Sequence, residues 1–252
     1  TGLMIPSVDA YLMNRLPFGA HTRRLPLTEL GCAAGAAALS QAAIHLRVYP
    51  DQAVLVIACE LASLTAQVDD TSMANVVSAA LFGDGAAATL LTGPAYEENT
   101  PREGTPRPRP RIVDSRSMLF PHTEGMMGFD HGEGGLRIFL QPKVPRFLRT
   151  ELPRLILPFL EEHGLRLEDL RHLLLHPGGR KVLDGLQAAL RLSEEQMRWS
   201  RAVLRDYGNL SSATVLFILQ HFEREARPQP GEWGLLAAVG PGFSAELLLL
   251  RW

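Results

Sequence analysis

The sequence predicts an α/β fold. Short continuous apolar runs of strand length alternate with helical segments, and no apolar run approaches the roughly 18 residues needed to cross a membrane. With 252 residues, 46% hydrophobic and 21% charged, burying a core is no difficulty, and the length suits one large domain or two ordinary ones. A formal net charge of −2 supplies no electrostatic reason to expect nucleic acid or an anionic membrane as partner. Cys32 and Cys59 form neither a disulfide framework nor a metal-binding spacing, which fits a reducing cytosol. The expectation is a soluble cytoplasmic protein.

The elements follow in order. "TGLMIPS" at the start reads as the end of a strand-to-loop transition already under way. "VDAYLMNRL" (Val8 to Leu16) has helical spacing, and "HTRRLPL" (His21 to Leu27) is an extended link. An Ala-rich helix runs from Cys32 to about Val48 and is stopped by Pro50. "AVLVIACE" (Ala53 to Glu60) reads as a strand in a sheet covered on both faces, Ser72 to Gly83 as a helix, and Ala86 to Gly93 as a second buried strand. Residues 94–110 hold five prolines without periodicity and read as a linker between units 1–93 and 111–252.

Beyond the linker, Arg111 to Leu119 reads as a strand, and Val144 to Gly164 as an amphipathic helix interrupted at Pro153 and Pro158. Arg171 to His176 is a strand ending at "PGG", followed by the helix "RKVLDGLQAALRL". Asn209 to Glu225 is a strong helix, and the strands "WGLLAAVG" and "AELLLLRW", joined by "PGFS", close the chain.

Three polar residues stand at element boundaries: Cys32 opens a helix, His176 ends a strand, and Asn209 opens another helix. In α/β folds ligands gather beyond strand carboxyl ends, beside helix N-termini. A cysteine at the positive end of a helix favours thiolate, a neighbouring histidine can hold that thiolate, and an asparagine amide can stabilise an oxyanion. Each residue also has a plain structural reading. Cys32 packs as a small hydrophobe, His176 bonds a backbone carbonyl, and Asn209 is an N-cap. Sequence spacing does not show that the three meet. His122, His131 and His172 lie near acidic residues without metal-site spacing and read as surface or structural, so no metal is expected.

"GCAAGAAAL", "FGDGAAA", "HPGGRKVLD", "YGNLSSATVLFIL" and "GPGFSAELLLL" occur in this order and resemble the type III polyketide synthases, the chalcone-synthase-like branch of the thiolase superfamily. "ELASLTAQVDDTS" and "MMGFDHGEGGLRIFL" are nearer the bacterial type. The resemblance implies a thiolase-like duplicated αβαβα layered fold, of which this chain is expected to lack the first part of the N-terminal half. It implies that Cys32 carries the starter acyl group and the growing chain as thioesters. It makes His176 the base that keeps Cys32 as thiolate, with a thiol pKa well below about 8.5, and makes Asn209 its partner in stabilising the enolate left when malonyl-CoA loses carbon dioxide.

Phe82 matches the aromatic gatekeeper, its plain reading being core. Gly240, Pro241, Gly242 and Phe243 match the loop that shapes the cavity floor, their plain reading being a tight turn. Ala62, Thr65 and Ile138 fall at cavity positions. Ala62 stands where family members often carry cysteine or threonine, and Ile138 where the plant enzymes carry a second gatekeeper phenylalanine. The resemblance thus implies a cavity more open and more apolar than that of the plant flavonoid enzymes, suited to medium or long aliphatic starters. Cys59 reads as packing within a buried strand. No cofactor is implied beyond CoA thioester substrates, an acyl-CoA starter and malonyl-CoA, and a homodimer is expected with the segment after Cys59 at its axis. Two alternatives remain: a ketoacyl synthase III-like single condensation, and a truncated homologue that binds acyl-CoA without turnover.

Overall fold

The computed structural model describes residues 4–99, 109–132 and 135–252. The readings at Thr1 to Leu3 and over 100–108 lie outside these. Among the described residues the strands are β1 (Ala53–Glu60), β2 (Gly85–Thr92), β3 (Arg111–Leu119), β4 (Met127–Gly132), β5 (Gly135–Leu140), β6 (Leu170–Leu175), β7 (Trp233–Gly240) and β8 (Ser244–Arg251). The helices are α1 (Val8–Met13), α2 (Ala34–Val48), α3 (Met73–Leu81), α4 (Pro94–Asn99), α5 (Val144–Glu161), α6 (Arg180–Leu190), α7 (Glu194–Tyr207) and α8 (Thr214–Glu225). Short 3-10 turns at Gly31–Ala33 and Ser211–Ala213 lead into α2 and α8.

The central sheet has the order β3-β8-β7-β6, and only β6 and β7 run parallel. The apolar runs of β7 and β8 are buried on both faces, so hydrophobic periodicity vanishes there. Leu235, Ala237, Val239, Leu247 and Leu249 face α5 and α6. Leu236, Ala238, Leu248 and Leu250 face α2 and α8. Beyond α2 and α8 lies a second sheet of β1 and β2, whose Val56 and Ala58 close the same core. The layers are therefore helix, sheet, helix, sheet.

Four expectations need correction. β1 is not covered on both faces: Val56, Ala58 and Glu60 are buried while Leu55, Ile57 and Cys59 are exposed. β2 alternates likewise, because this sheet is a single antiparallel pair with α2 and α8 on one side only. Cys59 is accordingly a surface thiol, not a packed one. Second, α5 runs unbroken through Pro153 and Pro158. Each proline removes one backbone bond, but Leu148, Leu152, Leu155, Ile156, Phe159 and Leu160 are buried at helical spacing, and a fully buried apolar side chain contributes roughly 1.5–3 kcal/mol. Third, the linker begins as helix α4, with Pro94 at the first position that tolerates it.

Fourth, the expected helix at Asn209 starts later. Asn209 forms an isolated bridge with Phe82, and the helix proper begins at Thr214. Two elements were not anticipated at all: the β4–β5 hairpin, and α7, which opens with a capping box between Ser193 and Gln196.

The α2 helix crosses the 3-10 turn before α8 with almost no clearance. A Cβ at Gly35 would lie 2.1 Å from the Ser212 carbonyl oxygen, and a backbone atom cannot swing aside. In an exposed helix, Gly→Ala gains about 1 kcal/mol. Here Gly35→Ala is expected to cost roughly 1–3 kcal/mol in chemical denaturation, as overpacking does. A raised midpoint would show that α2 and the turn do not touch.

Candidate active site

Three turns converge from distant parts of the chain. The first carries Cys32, in the 3-10 turn that opens α2. Gly31 has φ 49°, and a Cβ there would stand 2.6 Å from Pro241 Cδ. A Cβ on Gly240 would stand 2.3 Å from the Leu30 carbonyl oxygen. The "GPGF" loop thus serves the Cys32 turn: its Gly240 and Pro241 take the close contact that seats the cysteine.

The second turn carries His176, the residue after β6. Its N–H donates to the Ala237 carbonyl at 2.8 Å, extending the β6–β7 pairing by one step. The third carries Asn209. Its N–H donates to Leu81 O at 2.8 Å, and Gly83 N–H donates to Asn209 O at 3.0 Å. Gly208, at φ 76°, permits this approach, since a Cβ there would lie 2.7 Å from Leu81 O. "LFG" and "YGN" are two halves of one bridge, which fixes Phe82 and Asn209 together.

Cys32, His176, Asn209, Phe82, Ile138 and Phe243 all line one cavity of about 30 Å³. Leu81, Met127, Leu140, Val144, Leu148 and Val182 complete an otherwise apolar wall. The expected apolar character is present. At rest the cavity is small, with room for water and not for an acyl chain. Ala62, Thr65, Gly240, Pro241 and Gly242 are not among the lining residues. Thr65 Oγ1 donates back to Ala62 O at 2.9 Å, closing their turn on itself.

Electrostatics in this pocket are governed by dryness. Burial pushes the Cys32 thiol up to about 11, with the nearby Glu60 carboxylate adding to the rise, against lowering by Ser211 and Asn209. Burial pushes the His176 imidazole down to about 4, and neither ring nitrogen has a hydrogen-bond partner among the described residues. The expected low thiol pKa is therefore reversed. Both directions favour the neutral thiol and the neutral imidazole in the resting site.

The single thiol hydrogen has two acceptors in reach, Ser211 Oγ at 3.7 Å and Asn209 Oδ1 at 3.8 Å. Asn209 Oδ1 also accepts from Ser211 N–H at 2.8 Å and Thr214 Oγ1 at 3.4 Å. A backbone N–H only donates, so the atom it meets must be the amide oxygen, which leaves Nδ2 as the amide's remaining donor. Ser211, at φ 50°, sits in left-handed backbone against the thiol. Glu60, buried at the end of β1, accepts from Ser212 Oγ and from Ser212 N–H at 3.3 Å. Sequence reasoning passed over Glu60, Ser211 and Ser212. A carboxylate closing an apolar strand and two serines after "YGN" were the available signals.

These positions generate a labelling prediction. Iodoacetamide near pH 7 is expected to modify exposed Cys59 before buried Cys32. The Cys32 rate should climb about tenfold per pH unit toward pH 11, because the thiolate fraction does. Peptide mass spectrometry reads both sites, and preferential labelling of Cys32 at neutral pH would show that its thiolate forms despite burial.

The chalcone and stilbene synthase N-terminal domain matches residues 1–94 and the C-terminal domain residues 111–252. A chalcone synthase homologue of Bacillus subtilis (strain 168) is 40% identical over 252 residues, covering 100% of this chain and 68% of that protein. The 1,3,6,8-tetrahydroxynaphthalene synthase of Streptomyces peucetius is 41% identical, covering 100% of this chain and 65% of that protein. The crystal structure of 1,3,6,8-tetrahydroxynaphthalene synthase from Streptomyces coelicolor A3(2), a bacterial type III polyketide synthase, superposes with a TM-score of 0.90 at 37% identity, over 100% of this chain and 69% of that one. The chain spans about two thirds of the length of each of these relatives. With both halves of the family matched and the thiolase-like fold shared, the chain belongs to the chalcone and stilbene synthase family of type III polyketide synthases.

Proposed function

We propose that the protein is a decarboxylating condensing enzyme, which transfers an acyl starter from CoA to Cys32 and extends it with malonyl-CoA. One observation carries this reading: a thiol, an imidazole and an amide held by its oxygen, drawn from three separate turns, share one apolar cavity. The Cys32 sulfur attacks the starter thioester carbonyl, and its proton passes to a ring nitrogen of His176, which is neutral and unpartnered and so able to accept it. The carbon–sulfur bond to CoA breaks, and the CoA sulfur leaves with that proton.

Malonyl-CoA then loses carbon dioxide, and the electron pair of the broken bond becomes a thioester enolate. Negative charge develops on one oxygen, where His176 N–H and Asn209 Nδ2 are the available donors. The enolate carbon attacks the Cys32 thioester, forming a carbon–carbon bond and releasing the Cys32 sulfur. Every wall residue other than the polar trio is apolar, which favours an aliphatic starter. With a resting volume of about 30 Å³, Phe82 and Ile138 must move for such a chain to enter.

Asn209→Ala is expected to lower malonyl-CoA decarboxylation on the order of a hundredfold while Cys32 still accepts an acyl group. His176→Ala should impair both steps, and Cys32→Ala should abolish the covalent adduct. Carbon dioxide release and intact-protein mass spectrometry measure the two steps separately. Near-normal decarboxylation by Asn209→Ala would remove the residue from the mechanism.

A homodimer belongs to the same reading. Leu55, Ile57 and Leu90 expose apolar surface on the uncovered face of the β1–β2 sheet, and Leu64, Val68 and Met73 do so in the segment that follows β1. Twofold pairing buries such surface. Light scattering is expected to report a dimer at micromolar concentration, and a monomer would overturn that assignment.

A further inference from the structure

The turn between β3 and β4, "FPHTEGM" (Phe120 to Met126), has no role in the acyl-transfer chemistry, yet it grips the cavity wall. Thr123 is buried. Its Oγ1 accepts from the Phe243 backbone N–H and donates to the Phe120 carbonyl at 2.7 Å. Phe120 N–H donates to the Phe243 carbonyl at 2.8 Å. Both backbone groups of Phe243 are therefore held by this one turn. The turn is itself tight: His122 adopts φ 59°, and Met126 N–H closes onto the Thr123 carbonyl at 3.0 Å.

The same turn reaches the Phe243 ring by a second route. Phe120 packs edge-on against Phe147 with centroids 5.3 Å apart, and Phe147 lies 6.0 Å from Phe243. The Phe243 ring lines the cavity beside Val144 and Leu148. In a space of about 30 Å³, a small displacement of that ring alters a large share of the room.

A hydroxyl accepts from an N–H and donates to a carbonyl at once, which no apolar group of the same size can do. Removing it leaves the Phe243 N–H buried without its acceptor, a state that costs more than an ordinary bond is worth. The loop then gains by moving, and Phe243 moves with it.

We propose that Thr123 is a positioning residue that holds Phe243 in the cavity wall and, through that ring, sets the length of acyl chain the cavity accepts. The substrate class rests on the acyl-transfer reading above; the mechanical claim does not.

The test uses Thr123→Val, Thr123→Ala and Thr123→Ser in protein carrying 4-fluorophenylalanine at Phe243, observed by fluorine NMR. The Thr123→Ser resonance is expected to coincide with that of the unsubstituted protein, and those of the two hydroxyl-free variants to shift or split. Thr123→Ala removes the hydroxyl without adding a methyl group, so it carries the comparison if Thr123→Val does not fold. An unchanged Phe243 resonance in a hydroxyl-free variant overturns the proposal. Turnover gives a second readout, the ratio of kcat/KM for decanoyl-CoA over hexanoyl-CoA with malonyl-CoA. That ratio should change on the order of tenfold without the hydroxyl, within the range over which pocket shape discriminates, and return with serine. An unchanged ratio also overturns the proposal. Failure of the unsubstituted protein to turn over any starter sinks the acyl-transfer reading instead, and the fluorine resonance still decides the role of Thr123.

Discussion

The cavity depends on backbone meeting backbone. Three turns that share no local sequence are brought within a side chain's reach of one another only because glycine stands at each crossing. Gly35 admits the Ser212 carbonyl, Gly240 admits the Leu30 carbonyl, and Gly208 admits the Leu81 carbonyl. At each crossing a Cβ would lie 2.1 to 2.7 Å from a backbone oxygen, closer than close-packed interiors allow. The glycines of "GCAAG", "YGN" and "GPGF" are thus one device repeated, and the positions of Cys32 and Asn209 follow from it.

Such tight closure has an electrostatic consequence that competes with the helix geometry. The start of α2 favours thiolate at Cys32 by typically 1 kcal/mol or less. Full burial opposes it more strongly, since a thiol at about 11 is disfavoured as thiolate by roughly 3 kcal/mol relative to an ordinary cysteine. Desolvation wins, and it acts on His176 in the opposite direction with the same result. Both groups are kept neutral. The packing that positions the pair therefore also withholds charge from it.

The sequence was informative where chemistry is local. β7 and β8 were legible because all but one end residue of each is buried, which leaves a nearly continuous apolar run. The site trio was legible through the ordered motifs around Cys32, His176 and Asn209, not through spacing, since 177 residues separate Cys32 from Asn209. What covers an element was not legible. "AVLVIACE" has the composition of a strand buried on two faces, yet among the described residues α2 and α8 cover one face, and Leu55, Ile57 and Cys59 are exposed on the other. The sign of the Cys32 shift was missed for the same reason: a helix start is visible in sequence, and enclosure by Leu81, Met127 and Val239 is not. Pro153 and Pro158 misled because a local penalty was weighed without the buried face that offsets it.

A neutral pair in a dry pocket suits the chemistry proposed for it. A standing thiolate–imidazolium pair would need donors for the thiolate and acceptors for the imidazolium, and among the described residues neither ring nitrogen of His176 has a partner. With both groups neutral, the unpartnered nitrogens cost less, and one of them stays able to accept a proton while the other stays able to donate. A thioester entering the cavity brings the carbonyl that makes proton transfer from Cys32 worthwhile, because the charge leaving sulfur can pass to that oxygen. The Asn209 amide is already fixed for this moment: Ser211 N–H holds its oxygen, which also faces the Cys32 thiol, and Nδ2 remains as its donor. Preorganised donors of this kind need not reorient as charge develops, which is the condition under which a hydrogen bond stabilises a transition state more than the resting state. The enclosure that holds the resting thiol protonated is then the same enclosure that makes those donors effective once substrate supplies the charge.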